Sequence, residues 1–309
     1  MTLQQMEYIV AVDKYRHFVR AAESCGVTQS TLSSRIIKLE AELDVTILDR
    51  TSHPVKPTVL GEEIISQARV VLYNTYQIEE LISSRKGQMA GNLRLGIAPT
   101  IAPYILPKLL KILSERYPEV HLTVEEARVR NILDKIKTAE LDVALLATPV
   151  EEQDLLEIPV YKERFVAYLS PDHKLYSEAQ LMSSFLSPTD VWVLSEGYCP
   201  GNGGGFPFCQ CRSSNKAVYE AGSIDTLVRI VDENGGYTII PELHIPLLSE
   251  TQKLNIRPLV SPEPHREVAF VIRKDFVRER MLNILSEAVK CVIPEEMIDS
   301  YLKKFPVKL

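Results

Sequence analysis

The sequence predicts a mostly helical N-terminal unit, one long connecting helix, and a C-terminal two-lobed α/β domain. Three observations predict it. Short helices with apolar residues at 3–4 spacing fill the first stretch of chain. A run free of Pro and Gly carries an apolar residue every three or four positions from Ile64 to Ile82. From Asn92 onward, strand-like and helix-like segments alternate. The chain has 309 residues, too many for one ordinary core, so two or three folding units are expected.

In the first unit Leu3, Met6, Ile9 and Val10 have helical spacing, and a second helix follows over Phe18-Val19-Arg20-Ala21-Ala22-Glu23-Ser24. Gly26-Val27-Thr28 makes a turn. A third helix runs from about Gln29 to Leu43, with Thr28 as its N-cap and Leu32, Ile36, Leu39 and Leu43 as its apolar stripe. Two small alanines let the second helix approach the third, and Gly26 permits the sharp turn between them. The third helix opens with short polar side chains, which suit base edges and phosphates in a DNA major groove. Gln29, Ser30, Thr31 and Ser34 are therefore expected to face DNA, with Arg35, Lys38 and Arg50 as phosphate or base contacts. Ile47–Arg50 and Lys56–Thr58 flank Ser52-His53-Pro54 and read as a short β wing.

Charge permits this reading without predicting it. The net charge is −6, but residues 1–59 are neutral: Lys14, Arg16, Arg20, Arg35, Lys38, Arg50 and Lys56 balance Glu7, Asp13, Glu23, Glu40, Glu42, Asp44 and Asp49. Such a unit must rely on local clustering and multivalency. Neither a charged-then-apolar leader nor a membrane-length apolar run is present, so a cytoplasmic protein without a membrane partner is expected.

The long helix is expected from near Thr58 to just before Gly87. Ile64, Ala68, Val71, Thr75, Ile78 and Ile82 follow alternating spacings of four and three, a heptad seam suited to pairing between subunits. Gln88-Met89-Ala90-Gly91 forms a hinge. Beyond it, strands are expected at Leu93–Ile97, Val120–Glu125, Leu141–Ala147, Phe165–Leu169, Val191–Leu194, Tyr237–Ile240 and Glu267–Arg273. Helices are expected at Ala102–Tyr117, Asn131–Thr138, Glu178–Phe185, Ile224–Asn234 and Arg278–Val292. This is the rhythm of a parallel sheet covered by helices. The boundaries are 1–59 for the first unit, 60–91 for the linker, and 92–309 for the α/β domain. Within that domain lobe I spans 92–162 and 266–309, and lobe II spans 163–265.

The motif at 18–42, Leu48-Asp49-Arg50-Thr51 with Thr58 and Gly61, the linker helix and the two-lobed domain together resemble the LysR-type transcriptional regulators over nearly the full chain. The resemblance implies a winged helix-turn-helix that binds double-stranded promoter DNA. It also implies a homodimer through residues 60–86, a dimer of dimers, RNA polymerase as a further candidate partner, and a sensor like periplasmic binding proteins. Neither catalysis nor a cofactor is implied; no nucleophile–base pair or phosphate-binding glycine motif is found.

Within that family the chain most resembles the OxyR group of peroxide sensors. The matching stretches are Met6-Glu7-Tyr8, Arg16-His17-Phe18, Ile97-Ala98-Pro99-Thr100, Pro103-Tyr104-Ile105-Leu106-Pro107, Glu126-Ala127, Glu196-Gly197-Tyr198-Cys199, Phe208-Cys209 and Glu263-Pro264-His265-Arg266. Carried over, the resemblance makes Cys199 the peroxidatic thiol and Cys209 its resolving partner, with Thr100 and Arg266 binding or polarising peroxide. The chain departs from the group where Tyr198 replaces a histidine, Pro200-Gly201-Asn202 replaces an Arg-Asp pair, and Val129 replaces a threonine.

Of five cysteines, Cys199, Cys209 and Cys211 fall within 13 residues, and the odd count opposes a structural disulfide framework. Cys211 is an alternative resolving thiol, and the three together are an alternative zinc site. Cys25 and Cys291 are expected in the core. Two further readings follow from the lobes: a small organic effector in the cleft, with Thr100 at a helix start, or a solute-binding protein of another class.

Overall fold

The computed structural model describes residues 1–85, 91–182, 186, 190–193, 223–260 and 263–308. The chain divides into two compact units, the first built on Met1–Gln88 and the second on Met89–Lys137 and Leu141–Leu309.

In the first unit α1 (Leu3–Tyr15), α2 (Phe18–Ser24) and α3 (Gln29–Leu43) pack around Ile9, Val12, Ala21, Leu32, Ile36 and Leu39. Each helix start is capped as its sequence dictates. Thr2 and Gln5 form a capping box on α1, and Thr28 Oγ1 accepts from Thr31 N at 3.2 Å on α3. The turn between α2 and α3 places Gly26 at φ +66°, a left-handed conformation with no obstructing neighbour. The wing is a two-stranded antiparallel ribbon, β1 (Leu48–Asp49) with β2 (Lys56–Pro57).

Helix α4 (Val59–Arg85) starts where Thr58 hydrogen-bonds in two directions. Its Oγ1 donates to Thr46 O at 2.7 Å and accepts from Gly61 N at 2.9 Å. A Cβ on Gly61 would lie 2.0 Å from the Ile47 carbonyl oxygen, so only glycine lets the helix approach the wing loop this closely. The expected heptad seam divides. Ala68 and Ile64 pack into the first unit's own core, whereas Val71, Ile78 and Ile82 remain 40%, 61% and 53% exposed.

Among the described residues the second unit is built on a nine-stranded mixed sheet in the order β4-β3-β5-β11-β6-β10-β7, with β9 on β6 and β8 on β9. Strands β3 (Gly91–Ile97), β4 (Val120–Glu126) and β5 (Val143–Thr148) are parallel, as the alternating pattern predicts. Helices α5 (Ala102–Arg116), α6 (Val129–Lys137) and α9 (Glu279–Lys290) bury Ile105, Leu109, Ile132, Ile136, Leu282 and Leu285 in the same core as these strands. The all-parallel expectation fails at β11 (His265–Arg273), which runs antiparallel to both β5 and β6. The chain leaves the first half of the sheet along β6 and returns along β11, so the two must run in opposite directions.

Strand β6 (Leu155–Leu169) is three times as long as the five-residue segment expected from the sequence. Its first part, Leu155–Arg164, pairs with β11. Its last part pairs with β9 (Tyr237–Pro241) and β10 (Ile256–Val260), a strand missed in the sequence. The helix expected over Glu178–Phe185 is a correction: Leu181–Met182 form β7, parallel to β10, and 183–185 lie outside the described residues. Leu181 is fully buried and Met182 exposed, a strand alternation too short to show as a period. Val191–Trp192 form β8 beside β9, α7 (Ile224–Asn234) has the predicted bounds with Ser223 as N-cap, and the short α8 (Glu250–Lys253) precedes β10. The core placement of Cys291 is also corrected: it is exposed at the end of α9, and Cys25 is half-buried.

His244, on the 3₁₀ turn after β9, is wholly buried with neither ring nitrogen hydrogen-bonded among the described residues, and Asp225 Oδ1 is 3.5 Å from Nε2. Burial pushes its pKa below the ordinary 6.5, against the opposing pull of Asp225. A depressed folded-state pKa means stability is complete above 6.5 and lost as pH falls below it, because the unfolded chain takes up a proton that the fold refuses. Thermal melts between neutral and mildly acid pH should show a falling midpoint, with a shallower slope in His244→Gln. Separately, Gly61→Ala should destabilise the first unit by about 1–3 kcal/mol through overpacking. Gly26→Ala, with open space but a left-handed backbone, should cost about 1–2 kcal/mol. Denaturant unfolding of the two variants measures each loss, and an unchanged midpoint in either removes the constraint assigned to that glycine.

Candidate functional site

Helix α3 turns Leu32, Ile36 and Leu39 inward, which leaves Gln29, Ser30, Thr31, Ser34, Arg35 and Lys38 exposed on the opposite side. The helix start is a hydroxyl cluster. Thr28 Oγ1 lies 3.0 Å from Ser30 Oγ and 2.8 Å from Thr31 Oγ1, while Ser34 Oγ donates to Thr31 O at 2.9 Å. The helix is held at its depth from behind, where Gln5 of α1 is buried and its amide donates to Arg35 O at 3.4 Å. These six residues therefore share one accessible surface whose backbone is fixed by α1 and α2.

Arg50 is placed differently from the other six. Its Nη2 donates to Glu40 Oε2 at 2.8 Å, and its guanidinium lies 5.6 Å from the centre of the Phe18 ring. The other oxygen of Glu40 accepts from Ile47 N at 2.8 Å and Leu48 N at 3.1 Å. Glu40 thus ties the end of α3 to the first strand of the wing, and Arg50 completes that tie. Sequence reading missed Glu40, although an acidic residue in the second half of α3 facing a wing rich in backbone donors was the available signal.

The second constellation lies in the other unit, where β6, β11 and the start of α5 meet. Arg266 and Glu163 face each other as direct partners across the antiparallel strands. Arg266 Nε donates to Glu163 Oε1 at 2.7 Å, Nη1 to Thr100 Oγ1 at 3.0 Å, and Nη2 to Thr100 O at 2.9 Å as well as to the Tyr104 hydroxyl. Tyr104 OH in turn donates to Glu163 Oε1 at 2.8 Å. Thr100, Tyr104, Tyr161, Glu163 and Arg266 are all buried, and Arg266 also sits 5.6 Å from the Phe165 ring centre.

Desolvation raises the phenols of Tyr104 and Tyr161 well above their usual range, with Arg266 opposing the shift in both. Both therefore remain neutral hydrogen-bonding groups. Because the ion pair is sealed from water, deleting one partner leaves an uncompensated buried charge, a loss of about 3–5 kcal/mol.

Thr100 and Arg266, separated by 166 positions in the chain, are thus brought into contact. The Thr100 hydroxyl goes to Arg266 rather than to the start of α5, where Ile101 occupies the N-cap without a side-chain bond. Val129 begins α6 half-buried against the larger core. Cys199, Cys209 and Cys211, with Tyr198, lie outside the described residues. Tyr104, Tyr161 and Glu163 were not expected as site residues. The sequence signals for Glu163 were faint: a carboxylate between Lys162 and Arg164 reads as surface until β6 is seen to bury it.

Comparisons with known proteins match both units of the chain. Residues 3–62 match the bacterial regulatory helix-turn-helix protein, lysR family, and residues 86–292 match the LysR substrate binding domain. The chain is 33% identical over 300 residues to a hydrogen peroxide-inducible genes activator of Haemophilus influenzae, covering 95% of this chain and 99% of that one. It is 31% identical over 291 residues to the DNA-binding transcriptional dual regulator OxyR of Escherichia coli K12, covering 94% and 95%. Among solved structures, a full-length OxyR mutant of Pseudomonas aeruginosa superposes with TM-score 0.80 at 31% identity, covering 97% and 98% of the two chains. A hydrogen-peroxide-bound OxyR mutant of Corynebacterium glutamicum gives TM-score 0.58 at 27% identity, covering 94% of each. A helix-turn-helix with an exposed polar recognition face, joined to a substrate-binding-type α/β unit of this topology, makes the chain a member of the LysR family of DNA-binding transcriptional regulators and, within it, of the OxyR group.

Proposed function

We propose that this OxyR-like regulator responds to hydrogen peroxide through a reversible Cys199–Cys209 disulfide, and that α3 reads promoter DNA. The observation that carries the sensing half is the contact of Thr100 with Arg266, in a chain alike over its length to proteins named for peroxide response. Thr100, Tyr104 and Arg266 supply donors and acceptors where β3 passes into α5, and a peroxide molecule needs both.

The chemistry balances without a cofactor. The Cys199 thiolate attacks one peroxide oxygen, an S–O bond forms, and the O–O bond breaks. The departing hydroxide takes a proton and leaves as water. The Cys209 thiol then attacks the sulfenic sulfur, the S–S bond forms, and a second water is released. Two thiols lose two electrons to one peroxide, and Cys211 is the alternative resolving thiol. The disulfide favours one packing of the sensor domain and so biases the subunit interface.

On the DNA side, Gln29, Ser30, Thr31 and Ser34 approach base edges, Arg35 and Lys38 approach phosphates or bases, and Arg50 acts mainly through the Glu40 tie. The exposed Val71, Ile78 and Ile82 on α4 support a homodimer through residues 60–86, assembled further as a dimer of dimers on promoter DNA, with RNA polymerase as a downstream contact.

Two experiments test this reading. Arg35→Ala should weaken binding to a palindromic promoter fragment by about ten- to a hundredfold, the loss of about 1–3 kcal/mol for a specific contact. Unchanged affinity in a mobility-shift titration removes Arg35 from the interface. Peroxide-treated protein should yield a Cys199–Cys209 peptide by mass spectrometry, and Cys199→Ser should lose peroxide-dependent transcription. A full response in that variant rejects the disulfide mechanism, and a Cys199–Cys211 link reassigns the resolving partner.

A further inference from the structure

An arginine beside the start of a helix is ordinarily a site for anions: the guanidinium supplies full positive charge and the helix end supplies partial charge. The arrangement around Thr100 begins that way. Arg266 donates to both the side chain and the carbonyl of Thr100, one residue before the Ile101 N-cap of α5. Glu163 changes its character. Its side chain is fully buried, its Oε1 accepts from Arg266 Nε at 2.7 Å and from Tyr104 at 2.8 Å, and it is the cross-strand partner of Arg266.

Three further observations sharpen the point. Tyr104 bonds both members of the pair and so fixes their mutual orientation. Tyr161, wholly buried, hydrogen-bonds with Tyr104 and Glu163 and stays neutral, so it adds no charge to the cluster. Arg164, the next residue on β6, turns the other way to Glu242 and Glu263 and adds no charge inward. Among the described residues the buried group consists of one guanidinium, one carboxylate and neutral hydroxyls, whose formal charges cancel.

We propose that Glu163 is the specificity-determining residue of the Thr100 site: by clamping Arg266 and cancelling its charge, it makes the site select a small uncharged hydrogen-bonding molecule and reject anions. This rests on the reading of Thr100 and Arg266 as the peroxide site and deepens it, since hydrogen peroxide is such a molecule and small carboxylates are the natural competitors for an arginine. A carboxylate ligand here would have to displace Glu163 or sit beside it in a medium of low dielectric, where like charges repel strongly. An uncharged ligand meets no such repulsion and finds Thr100, Arg266 and Tyr104 already oriented.

The test uses the full chain and formate as the probe, titrated calorimetrically at constant ionic strength made up with chloride. Wild type should show no saturable formate binding. Glu163→Gln keeps the shape and an acceptor for Arg266 Nε while removing the negative charge. It should bind formate at least about tenfold more tightly than wild type, a difference of about 1.4 kcal/mol. The gain should vanish in Glu163→Gln/Arg266→Gln. Loss of packing alone does not create an anion site, so a purely structural role for Glu163 leaves formate unbound in every variant. Wild-type formate binding that is lost in Arg266→Gln overturns the proposal, as does a Glu163→Gln variant as silent as wild type. Should Glu163→Gln not fold, Glu163→Met, likewise uncharged, takes its place in the same titration: formate binding by that variant supports the assignment, and its silence or Arg266-dependent binding by wild type ends it. Oxidation of Cys199 by peroxide in the wild-type chain is read separately, so failure of the redox mechanism and failure of the anion filter give different results.

Discussion

The buried pair of Arg266 and Glu163 is the constraint on which the second unit turns. The two residues are register partners on β11 and β6, the strands along which the chain passes out to the second half of the sheet and back. Two opposite charges with almost no solvent exposure are tolerated only when their hydrogen bonds are largely satisfied. Here that requirement recruits Thr100 from the end of β3 and Tyr104 from α5. One ion pair thus links two long strands to the start of a helix. Thr100 is bonded directly to Arg266 on β11 and, through it, to Glu163 on β6, by bonds of about 3 Å.

The first unit solves a similar problem with a different carboxylate. Glu40 gathers two backbone amides and Arg50, so the wing is attached to the recognition helix by a partly buried charge. Thr58 and Gly61 then attach α4 to the same loop, one by hydrogen bonds and the other by having no side chain. The exposed polar surface of α3 is consequently presented by a frame with little freedom. That matters for a neutral DNA-binding unit, which has no strong basic field to compensate for poor placement.

Much of this was legible in the chain. The cap at Thr28, three of the four stripe residues (Leu32, Ile36 and Leu39, with Leu43 left exposed) and the α7 boundaries follow from local chemistry, and local chemistry is what a sequence displays. The errors share a cause. Strand β6 carries Glu157, Pro159, Lys162, Glu163 and Arg164, so its first ten residues read as polar loop; only pairing with β11 shows that Glu163 points into the core while Lys162 and Arg164 point out. Leu181–Met182 became a strand because a distant partner, β10, was available. Cys291 looked like core on helical spacing, but α9 ends at Lys290 and leaves it exposed. Thr100 and Arg266 were named as site residues from family resemblance. Their contact with each other, and the carboxylate of Glu163 beside them, were not.

The division of α4 follows from the same logic of where apolar surface can go. A single seam of six residues was expected to serve one purpose, yet Ile64 and Ala68 are consumed by the first unit's core while Val71, Ile78 and Ile82 stay in solvent. An apolar residue left 40–61% exposed gains little unless something covers it. The covered portion makes the start of α4 part of the DNA-binding unit, so the orientation of that unit is set by the helix itself. The uncovered portion begins a few residues later on the same rigid rod. Any partner that docks there is mechanically continuous with the wing and α3, through a helix in which no proline or glycine interrupts the turns after Gly61. A rearrangement of that docking therefore moves the recognition helix as a body, whereas a flexible tether at the same place would absorb it.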